Sequence, residues 1–210
     1  MNFIKHRMTR KGVINKVTGV MQRYSAYCQN VASIFDVGAN VGIYSLLFTK
    51  YFPEASVIAF EPVQKNFTHL QQHINMNKLN NRVKIEQQGL WSSKAQMNLG
   101  IPKDRDDIEN TGLYSVYGSK IQVTGSFDTM DEWSHLNPDL IKIDAEGAEL
   151  EILRGASQCL SKARYLIIAK HQDHLDHPEG YLDIFARYGF EQKPKLRRKE
   201  DIFLEKIKVV

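Results

Sequence analysis

Residues 34–42 read I-F-D-V-G-A-N-V-G, and this stretch decides the fold. A short apolar run ends at Asp36 and Val37, two glycines flank Ala39-Asn40-Val41, and Ile43, Leu46, Leu47 and Phe48 then recur at helical spacing until Pro53. Strand, glycine turn and helix in that order open a βαβ unit. Gly38 and Gly42 permit tight turning and close backbone approach, and Asp36 supplies a carboxylate at the strand end. A small polar ligand is expected there. A nicotinamide fingerprint, G-x-G-x-x-G, would bring a pyrophosphate to the helix N-terminus. This chain instead has Gly38-x-x-x-Gly42 with Asn40 between and an acid before the first glycine, which favours a cofactor carrying a cationic amine.

Working outward, further short apolar runs rich in β-branched residues predict buried strands over Ser33–Val37, Ser56–Phe60, Val83–Gln87, Leu140–Ile143 and Tyr165–Ala169. Helical patterns fall between them over Ile43–Phe52, Val63–Lys78 and Ala148–Leu160. Alternation of this kind predicts a parallel sheet wrapped by helices. In V-I-A-F-E-P, residues 57–62, Glu61 ends the second strand at the same sheet edge as the glycine turn. Its two oxygens can accept both hydroxyl hydrogens of a ribose. In P-D-L-I-K-I-D-A-E-G-A-E-L-E-I-L-R-G-A, residues 138–156, a buried strand runs into Asp144, Glu146, Gly147 and Glu149. Asp144 and Glu146 flank the strand's exit and can reach the crevice, although an N-terminal helix cap is an equally simple use for Asp144. Glu149 and Glu151 read as first-turn acids that complement the helix dipole.

The rest of the chain bounds the answer. At 210 residues, 42% hydrophobic and 25% charged, it fits one globular domain. We expect a covering helix or extension over residues 1–30 and one domain over 31–210. A glycine-punctuated insertion over about 91–131 should carry one or two antiparallel strands, and a closing hairpin should add two strands to a sheet edge. No apolar run approaches a membrane span, the N-terminus lacks the apolar stretch of a secretory signal, and Cys28 and Cys159 suggest no disulfide framework. A cytoplasmic protein with no membrane partner is the expectation. The net charge of +4 concentrates over Lys193–Lys199, a run short enough to read as a solvated turn.

Through IFDVGANVG, AFEP and above all KIDAEGAELEILRGA, in this order and spacing, residues 31–192 closely resemble the FkbM family of S-adenosylmethionine-dependent methyltransferases. The resemblance implies a Rossmann-like class I methyltransferase fold: a seven-stranded, mostly parallel sheet with an antiparallel last strand and helices on both faces. It implies S-adenosyl-L-methionine as cofactor, its methionine part near Asp36, Gly38 and Asn40 and its ribose at Glu61. Gly42, Gly89 and Asp144 complete the expected cofactor-binding set. The acceptor it implies is a hydroxyl of a small molecule, sugar or glycan. Where family members commonly carry a glutamate at the end of the strand RYLIIAKH, this chain has Ala169, Lys170 and His171.

Methyl transfer to a hydroxyl needs alignment and a base. Asp144, Glu146 and His171 are the candidates, the histidine because an imidazole titrates at about 6.5 unperturbed and the carboxylates because each can raise the other's basicity. The HQDHLDHPEG stretch places His171, His174 and His177 beside Asp173 and Asp176. Without a second cluster it reads as a polar loop and not a metal centre. Two rival functions stand beside O-methylation. A nucleic-acid methyltransferase is suggested by the basic turn but lacks an Asn/Asp-Pro-Pro-aromatic sequence, and a cofactor-binding protein without turnover is suggested by Ala169-Lys170.

Overall fold

The computed structural model describes residues 11–101, 114–169, 178–196 and 201–207. After helix α1 (Lys11–Tyr27), strand β1 (Ser33–Val37), helix α2 (Ile43–Tyr51), strand β2 (Ser56–Phe60), helix α3 (Gln64–Met76) and strand β3 (Val83–Glu86) follow in βαβ order. The chain then leaves the main sheet for β4 (Gly89–Leu90), β5 (Ala95–Ile101) and β6 (Lys120–Asp128), and a 3-10 turn over Met130–Leu136 brings it back. Strand β7 (Leu140–Ile143), helices α4 (Glu149–Arg154) and α5 (Ser157–Lys162), strand β8 (Tyr165–Ala169), helix α6 (Pro178–Tyr188) and strands β9 (Phe190–Gln192) and β10 (Asp201–Lys206) complete it.

The seven-stranded sheet has the order β3-β2-β1-β7-β8-β10-β9. Pairings from β3 across to β8 are parallel, whereas β10 runs antiparallel to both β8 and β9. The winding direction reverses between β1 and β7, so the strand ends there open the crevice in which open α/β sheets bind ligands. A smaller sheet, β4-β6-β5, holds the insertion, with β5 and β6 antiparallel as the alternation predicted.

Side-chain alternation divides the core into two layers. On one face Ile34, Val57, Ala59, Leu140, Ile167 and Phe203 pack under α1, α2 and α3. On the other, Phe35, Ile58, Ile141, Ile143, Leu166 and Leu204 pack under α4, α5 and α6. Helix α1 packs through Met21 and Tyr24, both fully buried, and the Tyr24 ring lies 4.9 Å from that of Phe203. Cys28 and Cys159 are free buried thiols, each pushed up to about 12 mainly by burial, so neither offers a thiolate at neutral pH.

The single helix expected over Ala148–Leu160 is two helices broken at Gly155. The carbonyl of Trp91 approaches so closely that a Cβ on Gly155 would lie 2.2 Å from it. Helix α5 then starts afresh, its first amides received by a carboxylate from outside: Gln158 and Cys159 N–H donate to Asp131 at 2.9 and 3.0 Å, and the Ser157 hydroxyl donates to it at 2.7 Å. A second correction concerns Asp144. Helix α4 begins at Glu149 with Ala148 at its cap position, so Asp144 is not its N-cap. Among the described residues no helix is long and apolar enough to cross a membrane.

Candidate active site

The turn after β1 is held from three sides. Gly38 and Ala39 donate to the Phe60 carbonyl of β2 at 3.1 and 2.9 Å, which fastens the turn to the neighbouring strand. Gly38 has φ +71, and a Cβ there would lie 1.9 Å from the Asp144 carbonyl oxygen, so the backbones after β1 and β7 touch. Gly42, at φ +89, precedes α2, and a Cβ on it would meet the Leu70 side chain at 2.5 Å. Asn40 between them is also left-handed, at φ 51. Both glycines are therefore required by geometry at this turn.

Glu61 is buried and ties this turn to the segment that leads from β2 into α3. One carboxylate oxygen accepts from the Asn40 N–H at 2.8 Å, and the other accepts from the Val63 N–H at 2.9 Å and the Asn66 side-chain amide at 3.3 Å. Burial pushes its pKa up to about 7, against the pull of these donors and of Lys142. A buried acid whose pKa is raised on folding holds its proton more tightly in the native than in the unfolded state. Its contribution to stability therefore falls as pH rises from about 4.5 to about 7. Thermal melts of the wild type and of Glu61→Gln across this window should diverge, with the wild type losing more on the way up. Parallel melting curves would show that Glu61 titrates normally.

Asp36 and Lys142 are register partners on β1 and β7 and share the face covered by α2. Asp36 is fully buried: Ser45 Oγ of α2 donates to its Oδ2 at 2.6 Å, and Lys142 Nζ stands 3.1 Å from its Oδ1. Lys142 also donates to the carbonyls of Val37 and Gly38, at 3.3 and 3.1 Å, and its ammonium lies 4.8 Å from the Tyr44 ring centroid. Burial alone would lower the Lys142 pKa, but Asp36, Asp144 and Tyr44 outweigh it and hold the ammonium above the usual lysine range. Lys142 has no counterpart among the residues singled out from the sequence. The signal lay in L-I-K-I, a lysine within a four-residue run that is otherwise apolar and buried throughout.

Beyond β7 the chain makes two left-handed residues in succession, Glu146 at φ 50 and Gly147 at φ 102. Glu149, almost fully buried, accepts from the Ala145 and Gly147 amides at 2.9 and 3.3 Å and so folds this turn back onto α4. The first-turn dipole role expected of Glu149 thus understates it. From the other side, the Ser115 hydroxyl donates to the Glu146 carbonyl at 2.7 Å and accepts from the Tyr117 amide at 3.1 Å, fastening the insertion to the turn.

These pieces line one cleft, with about 690 Å³ of space between them when the solvent at its open mouth is included. Gly38, Asn40, Glu61, Gly89, Asp144 and Glu146 all line it, and Leu99, Val116 and Phe127 of the insertion supply an apolar wall. Gly89 faces the Phe127 ring so closely that a Cβ would lie 2.2 Å from it. Neither Asp36 nor Gly42 is among the lining residues; both lie behind the wall and shape it. Among the described residues that line the cavity three are carboxylates and none is basic. His171, Lys170 and the rest of the HQDHLDH stretch lie outside the described residues, as do residues 197–200 of the basic turn. Ala169 ends β8 beside Asp201 of β10.

Residues 36–192 match the family model of the methyltransferase FkbM domain. Methyltransferase sdnD of Sordaria araneosa is 24% identical over 172 residues, covering 64% of this chain and 66% of that protein. The hexuronic acid methyltransferase AglP of Haloferax volcanii is 29% identical over 141 residues, covering 66% of this chain and 55% of that one. The chain thus spans less than two thirds of the length of either relative. The crystal structure of methyltransferase FkbM from Methylobacillus flagellatus KT superposes with a TM-score of 0.58 at 18% identity, over 83% of this chain and 43% of that chain. The family model spans the glycine turn, Glu61 and the whole DAEGAE segment, and on that match the chain belongs to the FkbM methyltransferase family.

Proposed function

We propose that this chain transfers a methyl group from S-adenosyl-L-methionine to a hydroxyl of a sugar, glycan or secondary metabolite. The observation that carries the cofactor assignment is the charge of the cavity, whose described lining holds Glu61, Asp144 and Glu146 and no basic side chain. A pyrophosphate would meet three carboxylates there, whereas a ligand bearing a sulfonium and an ammonium meets counter-ions in a partly desolvated site. The residues fit such a ligand in shape as well. At Gly38 any Cβ would strike the Asp144 backbone, and Glu61 keeps acceptor capacity for a ribose hydroxyl on Oε2, which takes only the Asn40 amide.

When bound, S-adenosylmethionine supplies a methyl carbon on a sulfonium, a leaving group that departs as a neutral thioether. The chain's own residues do the rest. The glycine turn and Glu61 hold the cofactor, the ribose at Glu61, and Gly89 and Phe127 bound the same cavity. Glu146, at the exit of β7, receives the acceptor's hydroxyl proton as the new oxygen–carbon bond forms, and its backbone is fixed by the Ser115 hydroxyl. Trp91 and Tyr117, with ring centroids 6.4 Å apart and Tyr117 half exposed, offer an aromatic surface to a sugar ring. The hexuronic acid methyltransferase among the relatives supports a sugar as acceptor.

Isothermal titration with S-adenosylhomocysteine and, separately, NADH tests the cofactor assignment. Heat from the first alone is the expected result; heat from NADH alone would overturn it. Transfer of labelled methyl from S-adenosylmethionine to a panel of sugar and alcohol acceptors then tests the acceptor class, and binding without transfer to any of them would point to a cofactor-binding protein lacking turnover.

A further inference from the structure

Taking the cofactor assignment proposed for this cavity as its basis, we infer that His73 is a positioning residue for the cofactor, acting from α3 through the glycine turn. Its ring donates a hydrogen from Nδ1 to the Val41 carbonyl and so holds the Asn40–Gly42 stretch in the shape the ligand meets.

The turn is fastened to the β2–α3 segment residue by residue. Gly38 and Ala39 donate to the Phe60 carbonyl, and Asn40 donates to Glu61 Oε2 at 2.8 Å. Val41 continues the series through its carbonyl oxygen, which lies 2.6 Å from His73 Nδ1 although the two residues stand 32 apart in the chain. Gly42 then packs on Leu70, whose Cδ1 would lie 2.5 Å from a Cβ there. The residues that α3 gives to this task, Asn66, Leu70 and His73, are spaced four and three apart and so share one face of the helix. Asn66 donates to Glu61 Oε1, Leu70 fills the space against Gly42, and His73 takes the carbonyl just before it.

A carbonyl only accepts, so the proton of this hydrogen bond belongs to the imidazole and sits on Nδ1. The backbone sets the demand for it. Asn40 at φ 51 and Gly42 at φ 89 are left-handed on either side of Val41, and a left-handed residue other than glycine persists only where its surroundings over-determine it. Glu61 fixes the N–H of Asn40 and His73 fixes the carbonyl of Val41, so the pair brackets the strained stretch from both ends. Gly38 and Asn40 line the cavity, whereas His73 does not. The imidazole therefore shapes the wall without touching the ligand. Its own backbone is held in turn, because the Asn77 side-chain amide donates to the His73 carbonyl at 2.8 Å.

Two measurements test this. Nitrogen-15 spectra of the folded protein, with the His73 signals identified by their loss in His73→Asn, read the tautomer; a proton on Nδ1 is expected, and a bare Nδ1 overturns the inference. S-adenosylhomocysteine is then titrated into the wild type, His73→Asn and His73→Leu, each checked for folding by circular dichroism. Asparagine places an amide N–H where Nδ1 stood, and leucine offers no donor. His73→Leu should weaken binding by about fivefold, the effect of one hydrogen bond, and His73→Asn should stay within about twofold of the wild type. Helix propensity runs the other way, leucine being the better helix former, so this order of affinities is no by-product of a firmer α3. The inference is overturned if His73→Leu binds like the wild type, or if His73→Asn loses as much as His73→Leu. Should His73→Leu not fold, His73→Gln, whose donor sits one bond further out, replaces it under the same expectation. A wild type that binds no S-adenosylhomocysteine overturns the cofactor assignment instead, and is told apart because all three proteins are then alike while the spectrum still shows the Nδ1 proton.

Discussion

Glu61→Ala is expected to weaken S-adenosylhomocysteine binding by roughly 100-fold, on the order of 2–3 kcal/mol, the cost of removing a charged acceptor that several donors share. Two losses combine. The ribose loses a carboxylate, and the Asn40 and Val63 amides, with the Asn66 side chain, lose theirs, so the glycine turn is released from the end of β2. Glu61→Gln should fall between the two, since an amide has one acceptor oxygen where the carboxylate uses both. Because the pKa of Glu61 is raised to about 7, the wild type should itself lose affinity as pH falls below about 7 and release a proton on binding above the carboxyl's normal range. Titrations in buffers of different ionisation enthalpy measure that proton. Wild-type affinity in Glu61→Ala would remove this residue from the site.

The second large effect is at Gly38. Alanine there must adopt φ near +71 and place its Cβ 1.9 Å from the Asp144 carbonyl oxygen, a contact with backbone that no rotamer change relieves. Left-handed strain and overpacking each cost about 1–3 kcal/mol. Together they predict a loss of several kcal/mol, which for a chain of 210 residues corresponds to a fall in melting temperature of roughly 10 °C. Gly19→Ala makes the control, because a Cβ at that helical glycine meets nothing within 4 Å and replaces a poor helix former. If Gly38→Ala melts with the control, β1 and β7 do not approach as closely as described.

The parts of this molecule legible in sequence were those whose cause is local. Strands β1, β2, β7 and β8 each announce themselves as short runs holding three or four buried apolar residues, and the turn after β1 as glycines at a fixed spacing. Glu61, Asn40 and the DAEGAE acids could be nominated because a strand end is itself a position in space. What escaped depends on partners distant in the chain. Nothing near Gly155 says that Trp91 will press against it, and an isolated glycine in a helical pattern is commonly tolerated. Asp36 reads as a ligand-facing acid until α2 covers it and β7 brings up Lys142. Glu149 is the exception, since its partners are local: it reads as a first-turn acid, and only the turn over 145–147 brings the Ala145 and Gly147 amides onto it.

The cavity has a composite wall: Glu61 and Asp144 directly follow strands β2 and β7 of the seven-stranded sheet, whereas Leu99, Val116 and Phe127 belong to the insertion. A ligand seated there touches two bodies at once and so acts as mortar between them. Whatever free energy it gains from the insertion's docked state, it returns to that state in equal measure, since the two equilibria are thermodynamically linked. Occupancy should therefore slow amide hydrogen exchange in β5 and β6, beyond the residues the ligand touches.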